Sequence, residues 1–519
     1  MAVSGDSPPV AKTSPYSWYV LFLLFLVYAL NFIDRQVLTI LAPHIRRDLG
    51  LSHADIGFLY GTAFGVFYAL FGIPLGRLAD SWHRVRLLTL GLALWSAMTA
   101  VSGFARTGLQ LGAARIGVGI GEASAGPAAY SLLSDWFPRR RRATALALYS
   151  SGIYIGGGFS LFLGGLIVDR WNAAWPVAAT APLGLAGWQA AFLAVGLPGL
   201  LLALWVATLR EPQRGQADGL IAPPSPAPFR GFFEELLTIV PPFTLIGAAR
   251  NRTLASNLAA LALIAAAVWA LLRIGEPPHQ WLAVGIGAYA VWSWGSALRR
   301  RDAPAFALTI GTPAFLLVIL AYGLNSFMAY AVAYLAPSHA AHAFAATSRE
   351  AGLLIGAPAM VAGFLGVSLG GIVADRLRQR HAAGRLFVVL FGSVAPVPPL
   401  VLAFTTDQAT LFYAMLPVCQ FVSSAALGAA AAATQELVLP RMRGAATGAF
   451  FIGTTLIGLS LGPYLAGRIA DQTDSIATGI LWLTPSVPVA LIAAIAACRL
   501  VPRAEATREA RARAAGEPL

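Results

Sequence analysis

Four ionisable residues stand inside runs that are otherwise apolar: Asp34 and Arg35 in one run, Arg115 and Glu122 in another. A charge at the centre of a bilayer costs about 2.5–3.5 kcal/mol on insertion scales, so such residues face a protein interior, pair with one another, and mark the route of an ion or a substrate. Counted inward from the ends of their runs, Asp34, Arg115 and Glu122 lie about 12, 9 and 20 Å deep at the helical rise of 1.5 Å per residue. Asp34 and Arg115 are therefore expected to meet across two helices. Glu122 sits two turns further in, on the same face as Arg115, without a guanidinium at its own depth. The two carboxyls then differ in their readiness to take a proton. The expected chemistry is proton exchange on Asp34 and Glu122, with Arg35 and Arg115 as alternating partners or anion anchors. The alternative is a static ion pair that fastens the two helices.

The elements that must position these groups follow from composition. Of 519 residues, 57% are hydrophobic and 11% are charged, against roughly 25% charged in a soluble chain. Mean hydropathy is +0.69. A soluble enzyme, a disordered protein and a single-anchor receptor are excluded, and a polytopic all-α membrane protein is expected. Apolar runs at 17–42, 54–78, 85–104, 109–134, 142–168 and 188–209 make a first bundle over 16–209, after a polar N-tail at 1–15. A Pro-rich linker occupies 210–252, and an inserted pair of apolar runs fills 253–298. Six further runs, at 308–335, 350–372, 385–404, 410–437, 445–470 and 477–500, make a second bundle over 308–500, followed by a basic tail at 501–519. The expected total is fourteen transmembrane helices.

The net charge is +13. With the N-terminus in the cytoplasm, roughly three quarters of the 36 basic residues fall on the cytoplasmic side, which by the positive-inside rule places both termini there. The same bias accounts for the basic pI without nucleic acid. Cys419 and Cys498 lie in apolar runs, and the seven histidines fall in loops or at helix ends. No metal spacing, nucleophile–base arrangement or phosphate loop is present, so neither an enzyme nor a cofactor is expected. Gly117-x-Gly119-x-Gly121 lies within an apolar helix rather than after a strand, which removes a dinucleotide reading.

The chain repeats itself. Gly76-Arg-Leu-Ala-Asp80 closes the second run, and Gly371-Ile-Val-Ala-Asp375 closes the second run of the last six. Pro138-Arg139 and Pro440-Arg441 likewise follow the fourth run of each half. The offsets are 295 and 302 residues. Two six-helix halves about a pseudo-two-fold axis along the membrane normal place a substrate site between them. The turn residues Gly76, Asp80, Arg84, Arg86, Asp135, Gly371, Asp375 and Arg376 are expected to form a cytoplasmic gate. The glycines would permit close backbone approach and the acids would cap neighbouring helices. The second half has no carboxylate or arginine at mid-depth. Its cavity candidates are Tyr322, Asn325, Ser326 and Tyr330 in its first helix, with Gln420 and Ser424 in its fourth; Asn31 joins them from the first half. Tyr334, one turn beyond Tyr330, shares its face. A cavity charged on one wall and aromatic on the other suits an amphiphile with a polar head. In the inserted pair, Trp269, Trp281, Trp292 and Trp294 are expected to face lipid.

These motifs resemble the major facilitator superfamily, and within it the spinster-like branch. The resemblance rests on Asn31-Phe-Ile-Asp34-Arg35-Gln36, Gly72-Ile-Pro74-Leu-Gly76-Arg-Leu-Ala-Asp80, Ala114-Arg115-Ile-Gly117-Val-Gly119-Ile-Gly121-Glu122-Ala123, Ser134-Asp135-Trp-Phe-Pro138, Gly187-Trp188 and Arg210-Glu211-Pro212. It is dense over 16–215 and thinner over 308–500. The family's turn after the second helix reads Asp-Arg-x-x-Arg; here Ser81 replaces the first arginine, while Arg376 keeps it in the second copy. The resemblance implies a major facilitator fold and assigns Asp34, Arg35, Arg115 and Glu122 to coupling and substrate binding. It further implies a monomeric, multi-pass transporter of the bacterial inner membrane, working by alternating access on a proton gradient. Eukaryotic members of the branch are associated with lysolipids and sphingoid phosphates, so a lysolipid-like or other amphiphilic organic anion is the expected substrate, and membrane lipid an expected partner. An organic-anion symporter or drug exporter of the same superfamily is the nearer alternative; a lipid scramblase or a substrate sensor is the remoter one.

Overall fold

The computed structural model describes residues 14–218 and 226–518. The expected N-tail up to residue 13, part of the linker and Leu519 lie outside the described residues, as do the side chains of Arg139, Arg140, Ala143 and Asp218. The described residues are helical almost throughout and include no strand.

The first half comprises α1 (Pro15–Leu49), α2 (His53–Ser81), α3 (Arg84–Ser102), α4 (108–136, as Gly108–Glu122 followed by Ala125–Trp136), α5 (Thr144–Ala174) and α6 (Gly187–Ala207). The linker folds into two short helices, α7 (Pro228–Ile239) and α8 (Thr244–Arg250), bent by 103°. The inserted pair is α9 (Leu254–Arg273) and α10 (Pro278–Arg301). The second half comprises α11 (Pro313–Phe344), α12 (Ser348–Arg380), α13 (Gly384–Thr405), α14 (Ala409–Glu436), α15 (Pro440–Thr473) and α16 (Ile476–Ala506), after which α17 (Arg508–Ala514) folds back. Twelve of these are long and apolar enough to cross a membrane. The other two expected spans, α4 and α10, are helical but more polar. A helix stands at each of the fourteen expected positions.

Local signals set the boundaries. At the start of α1, Ser14 Oγ accepts from the Ser17 amide at 3.1 Å, and proline occupies the first turn of both α1 and α11, where its missing N–H leaves no bond unmade. Both helices end on a left-handed residue, Gly50 (φ 65°) and Ala345 (φ 51°), again 295 apart. Helix α7 is amphipathic, and it lies along α2, where the Ser81 hydroxyl donates to the Pro228 carbonyl at 2.6 Å. Its Phe229 and Phe233 are exposed.

The inserted pair is not wholly peripheral. Helix α9 is largely exposed, but α10 lies in the groove between α2 and α15, where Gly287 packs on Leu456 and Val66. The expectation for its tryptophans divides accordingly. Trp269 and Trp292 are exposed, whereas Trp294 is buried and Trp281 donates to Glu276 at 3.1 Å. A helix packed against both halves must bury one stripe, and the sequence does not show which.

The halves are closed on one face and parted on the other. Away from the termini they meet along two seams, α2 with α15 and α5 with α12, where a Cβ at Gly57 would lie 2.5 Å from the Pro463 carbonyl oxygen and one at Gly352 would collide with that of Leu161. Toward the termini, Gly126 of α4 and Gly428 of α14 have open space where a side chain would be. These two positions are 302 residues apart. A cleft of about 380 Å³ at the terminal end of the second half is lined by Arg385, Ala431, Ala432, Gln435, Glu436 and Arg443.

Candidate functional site

Successive residues on a helix point about 100° apart, as 3.6 residues per turn requires, so Asp34 and Arg35 cannot both face α4 with their side chains. The structure resolves this opposite to the expected pairing. Arg35 reaches along the bundle axis to Glu122, with Nη2 2.8 Å from Oε2, and both side chains are buried. Arg115 Nη1 donates to the backbone carbonyl of Asp34 at 3.2 Å, not to its carboxylate. The Asp34 carboxylate is fully buried and has no hydrogen-bond partner. It faces Thr99 Oγ1 and Trp95 Nε1 of α3, which have no hydrogen-bond partner either. The depth estimate failed because it placed Cα atoms, whereas the long arginine side chain spans the depth difference.

Aromatic rings complete the site. The Arg35 guanidinium lies over Phe64 (4.5 Å), Phe32 (4.7 Å) and Tyr68 (5.1 Å), and that of Arg115 also lies over Phe64, at 5.4 Å. Such contacts contribute roughly 0.5–2 kcal/mol each and hold two like charges apart around one ring. Tyr60 donates to Gln36 Oε1 at 2.8 Å. The sequence reading missed Tyr60, Phe64 and Tyr68, although their i, i+4, i+8 spacing marks one stripe of α2. Asn31 is buried beside the Glu122 carboxylate.

From the other half, half-buried Tyr330 comes within electrostatic range of Arg35, Tyr60 and Tyr68. Tyr322 stacks on Phe450 with centroids 5.5 Å apart, and Gln420 is partly exposed. The other expected cavity residues pack between helices. Asn325 Nδ2 donates to the Ser423 carbonyl at 3.0 Å and its Oδ1 accepts from Ser423 Oγ at 3.0 Å, tying α11 to α14. Ser326 sits on Gly458, and Ser424 on Gly366. Small polar residues opposite glycine serve close packing in membrane helices. Tyr334 is fully buried at the closed face and donates to the His53 carbonyl at 2.6 Å.

The expected gate turns are wired within each half. Arg84 is fully buried, ion-pairs with Asp135, contacts Glu211 through Nε at 2.7 Å, and donates through Nη2 to the Pro212 carbonyl at 2.8 Å. Glu211 also accepts from the Arg84 and Val85 amides at 3.2 and 2.9 Å. The second half repeats this scheme: Arg385 pairs with Glu436 and, at 2.9 Å, with Asp375, and Arg378 holds Glu505 at 2.6 Å. Arg84 with Asp135 and Arg385 with Glu436 correspond at an offset of 301 residues. These pairs brace turns inside one half; they do not bridge the two. Asp80, Arg86 and Arg376 are exposed. Gly76 and Gly371 have room for a Cβ, so neither serves a close approach.

A membrane transporter of two six-helix bundles is the class that this fold defines. The family model of the Major Facilitator Superfamily matches residues 24–456, with a further match over 318–519. The chain belongs to the Major Facilitator Superfamily, whose members and relatives found here are transporters rather than enzymes. An MFS-type efflux pump of Mycolicibacterium smegmatis is 27% identical over 486 residues, covering 93% of this chain and 90% of the pump. The probable galactarate/D-glucarate transporter GudP of Bacillus subtilis is 30% identical over 213 residues, 40% of this chain and 43% of that transporter. The corresponding GarP of Escherichia coli K12 is 31% identical over 202 residues, 38% of this chain and 42% of its own length. In fold, the chain matches a bacterial homologue of the human lysosomal transporter Spinster in an inward-facing, unoccupied conformation. The TM-score is 0.68 at 24% identity, over 96% of this chain and 99% of that one.

Proposed function

We propose that this protein is a proton-coupled secondary transporter that carries an organic anion by alternating access. One observation carries the reading: a buried Arg35–Glu122 pair stands beside a buried Asp34 carboxylate that makes no ion pair. A buried carboxylate without a partner is costly unless it takes a proton, and a proton there can be exchanged without breaking an ion pair. Asp34 is then the carrier of the exchangeable proton. Glu122 and an incoming anion compete for Arg35, and Arg115 fixes the helix backbone at Asp34. With the termini in the cytoplasm of a bacterial inner membrane, the parted face opens inward. The chain acts as a monomer and needs no cofactor besides the gradient.

The substrate is a carboxylate or phosphate with a body that packs on Tyr68 and Tyr330. Lysolipid-like amphiphiles meet that description, and so do the sugar acids named for the partial relatives. In proteoliposomes under an imposed pH gradient, a panel of sugar acids, lysophospholipids and sphingoid phosphates should yield one class with saturable, gradient-sensitive flux. Glu122→Gln and Asp34→Asn should each abolish the gradient response. Undiminished gradient-driven flux in both variants would end the coupling reading, and ungated lipid flip would point to a scramblase.

A further inference from the structure

The closed face is fastened twice, and the internal repeat writes both fasteners. At the α2/α15 seam, Asp471 near the end of α15 accepts from the first amides of α2: His53 N to Oδ1 at 2.9 Å and Ala54 N to Oδ2 at 2.8 Å. At the α5/α12 seam, Asp169 near the end of α5 accepts from Arg349 N, in the first turn of α12, with Oδ2 at 2.7 Å. Asp169 and Asp471 are 302 residues apart, and Ala54 and Arg349 are 295 apart. These are the two offsets of the repeat.

The surroundings correspond as well. The two capped helices open with reciprocal capping boxes, Ser52 with Asp55 and Thr347 with Glu350. Each aspartate stands one turn beyond a glycine that admits the partner backbone: a Cβ at Gly467 would collide with the His53 carbonyl, and one at Gly165 with that of Ser348. Each seam takes a further bond from the first helix of a half. Tyr334 of α11 bonds the His53 carbonyl, and His44 Nε2 lies 3.0 Å from Ser348 Oγ. In both seams the aspartate belongs to one half and the capped helix to the other.

We propose that Asp169 and Asp471 are a duplicated latch: two carboxylates, each holding the N-terminal amides of a helix in the opposite half, which must both let go before this face can open. A carboxylate at a helix N-terminus gains from the orphan amides and from the helix dipole together. It is also hydrated and released without leaving a charge in the hydrocarbon, which suits a bond made and broken in every cycle. The copies are unequal, because the turn between α9 and α10 straps one of them. Glu276 accepts from Tyr464 at 2.8 Å and lies 3.5 Å from Arg468, while His279 lies 3.4 Å from Asp55. Desolvation disfavours the charged form of Glu276, but the bonds from Trp281 and Tyr464 outweigh it and hold the carboxyl below its usual range. The inserted pair thus grips both sides of the α2/α15 seam.

The inference rests on the alternating-access reading, but its test uses no substrate and so stands apart from the identity of the cargo. Amide hydrogen exchange of the full-length protein in detergent or nanodiscs, followed by mass spectrometry, reads peptides covering 53–62 and 349–356. If the latches open together, Asp471→Ala speeds exchange in both peptides, and Asp169→Ala does the same. Each should raise the open-to-closed ratio roughly two- to thirtyfold, the range for losing a helix cap, with the double variant near the product for two separated sites. Asp→Asn variants keep one acceptor oxygen and should fall between Ala and the parent; they also serve if an alanine variant fails to fold. Exchange that rises only in the peptide whose own cap was removed would overturn the latch, leaving two independent helix caps.

Discussion

The two halves share one ancestral plan, but they fill it with opposite chemistry. Asp34, Arg35, Arg115 and Glu122 occupy the interior of the first half; at offsets of 295 and 302 residues the second half has Ala329, Tyr330, Pro417 and Ser424. The first interior is an ion pair, a spare carboxylate and a ring-bound guanidinium. The second has a half-buried tyrosine and, between α11 and α14, an Asn325–Ser423 hydrogen-bond pair. Both halves keep the seams, the capping boxes and the braced turns, while their interiors differ. One interior wall is therefore charged and the other neutral, and the proposed transport reading gives the two walls different tasks.

The largest effect should come from breaking the ion pair on one side. Arg35→Met leaves Glu122 buried without its guanidinium, at a cost of about 3–5 kcal/mol. Thermal unfolding in detergent should fall steeply and gradient-driven flux should vanish. The double variant Arg35→Met/Glu122→Met should recover most of the stability, since an apolar pair can replace a buried ion pair at little cost, yet still carry no gradient-driven flux. If the double variant transported normally, the pair would be a structural lock and the contrast between the halves would have no functional meaning. Asp34→Asn should act in the reverse sense. It removes a buried carboxylate that makes no ion pair, so the thermal midpoint should hold or rise, while uphill transport is lost and substrate counterflow persists. Loss of counterflow together with uphill flux would move Asp34 from proton carrier to substrate ligand.

The helices and the repeat were legible because both rest on periodic, backbone-level signals: long apolar runs, arginine-rich turns and constant offsets. The partners of the buried charges were not. Asp34 and Arg35 are neighbours in sequence, and which of them meets Glu122 depends on the rotation of α1 and on the reach of the arginine side chain. The partners of the expected gate residues were hidden for a related reason. Motif turns announce themselves by charge, but charge alone does not say whether a bond closes within a half, as Arg84–Asp135 does, or across the two. The latch was missed because Asp169 and Asp471 lie at helix ends, where a solvated acid is the ordinary expectation. Applying the offsets to every acid would have found them.

A milder substitution sharpens the contrast from the neutral side. Asn325→Ala removes two hydrogen bonds that tie α11 to α14, and at a net of about 1 kcal/mol per bond it should lower stability by about 1–2 kcal/mol. Because Asn325 is buried and its amide group is bonded to Ser423, KM should not move.

The finest test is Tyr330→Phe, which keeps the ring and deletes only a hydroxyl. Tyr330 stands at the place corresponding to Arg35 and comes into electrostatic range of it from across the halves, so its hydroxyl is a polar group that the second half brings toward the ion pair. A half-buried hydroxyl contributes little to folding, and the thermal midpoint should stay within error. If the neutral wall orients an anion against Arg35, KM should rise severalfold with kcat unchanged, the pattern of a lost interaction shared by ground and transition states. An unaltered KM would leave the second wall as packing alone, and anion recognition would then belong entirely to the charged half.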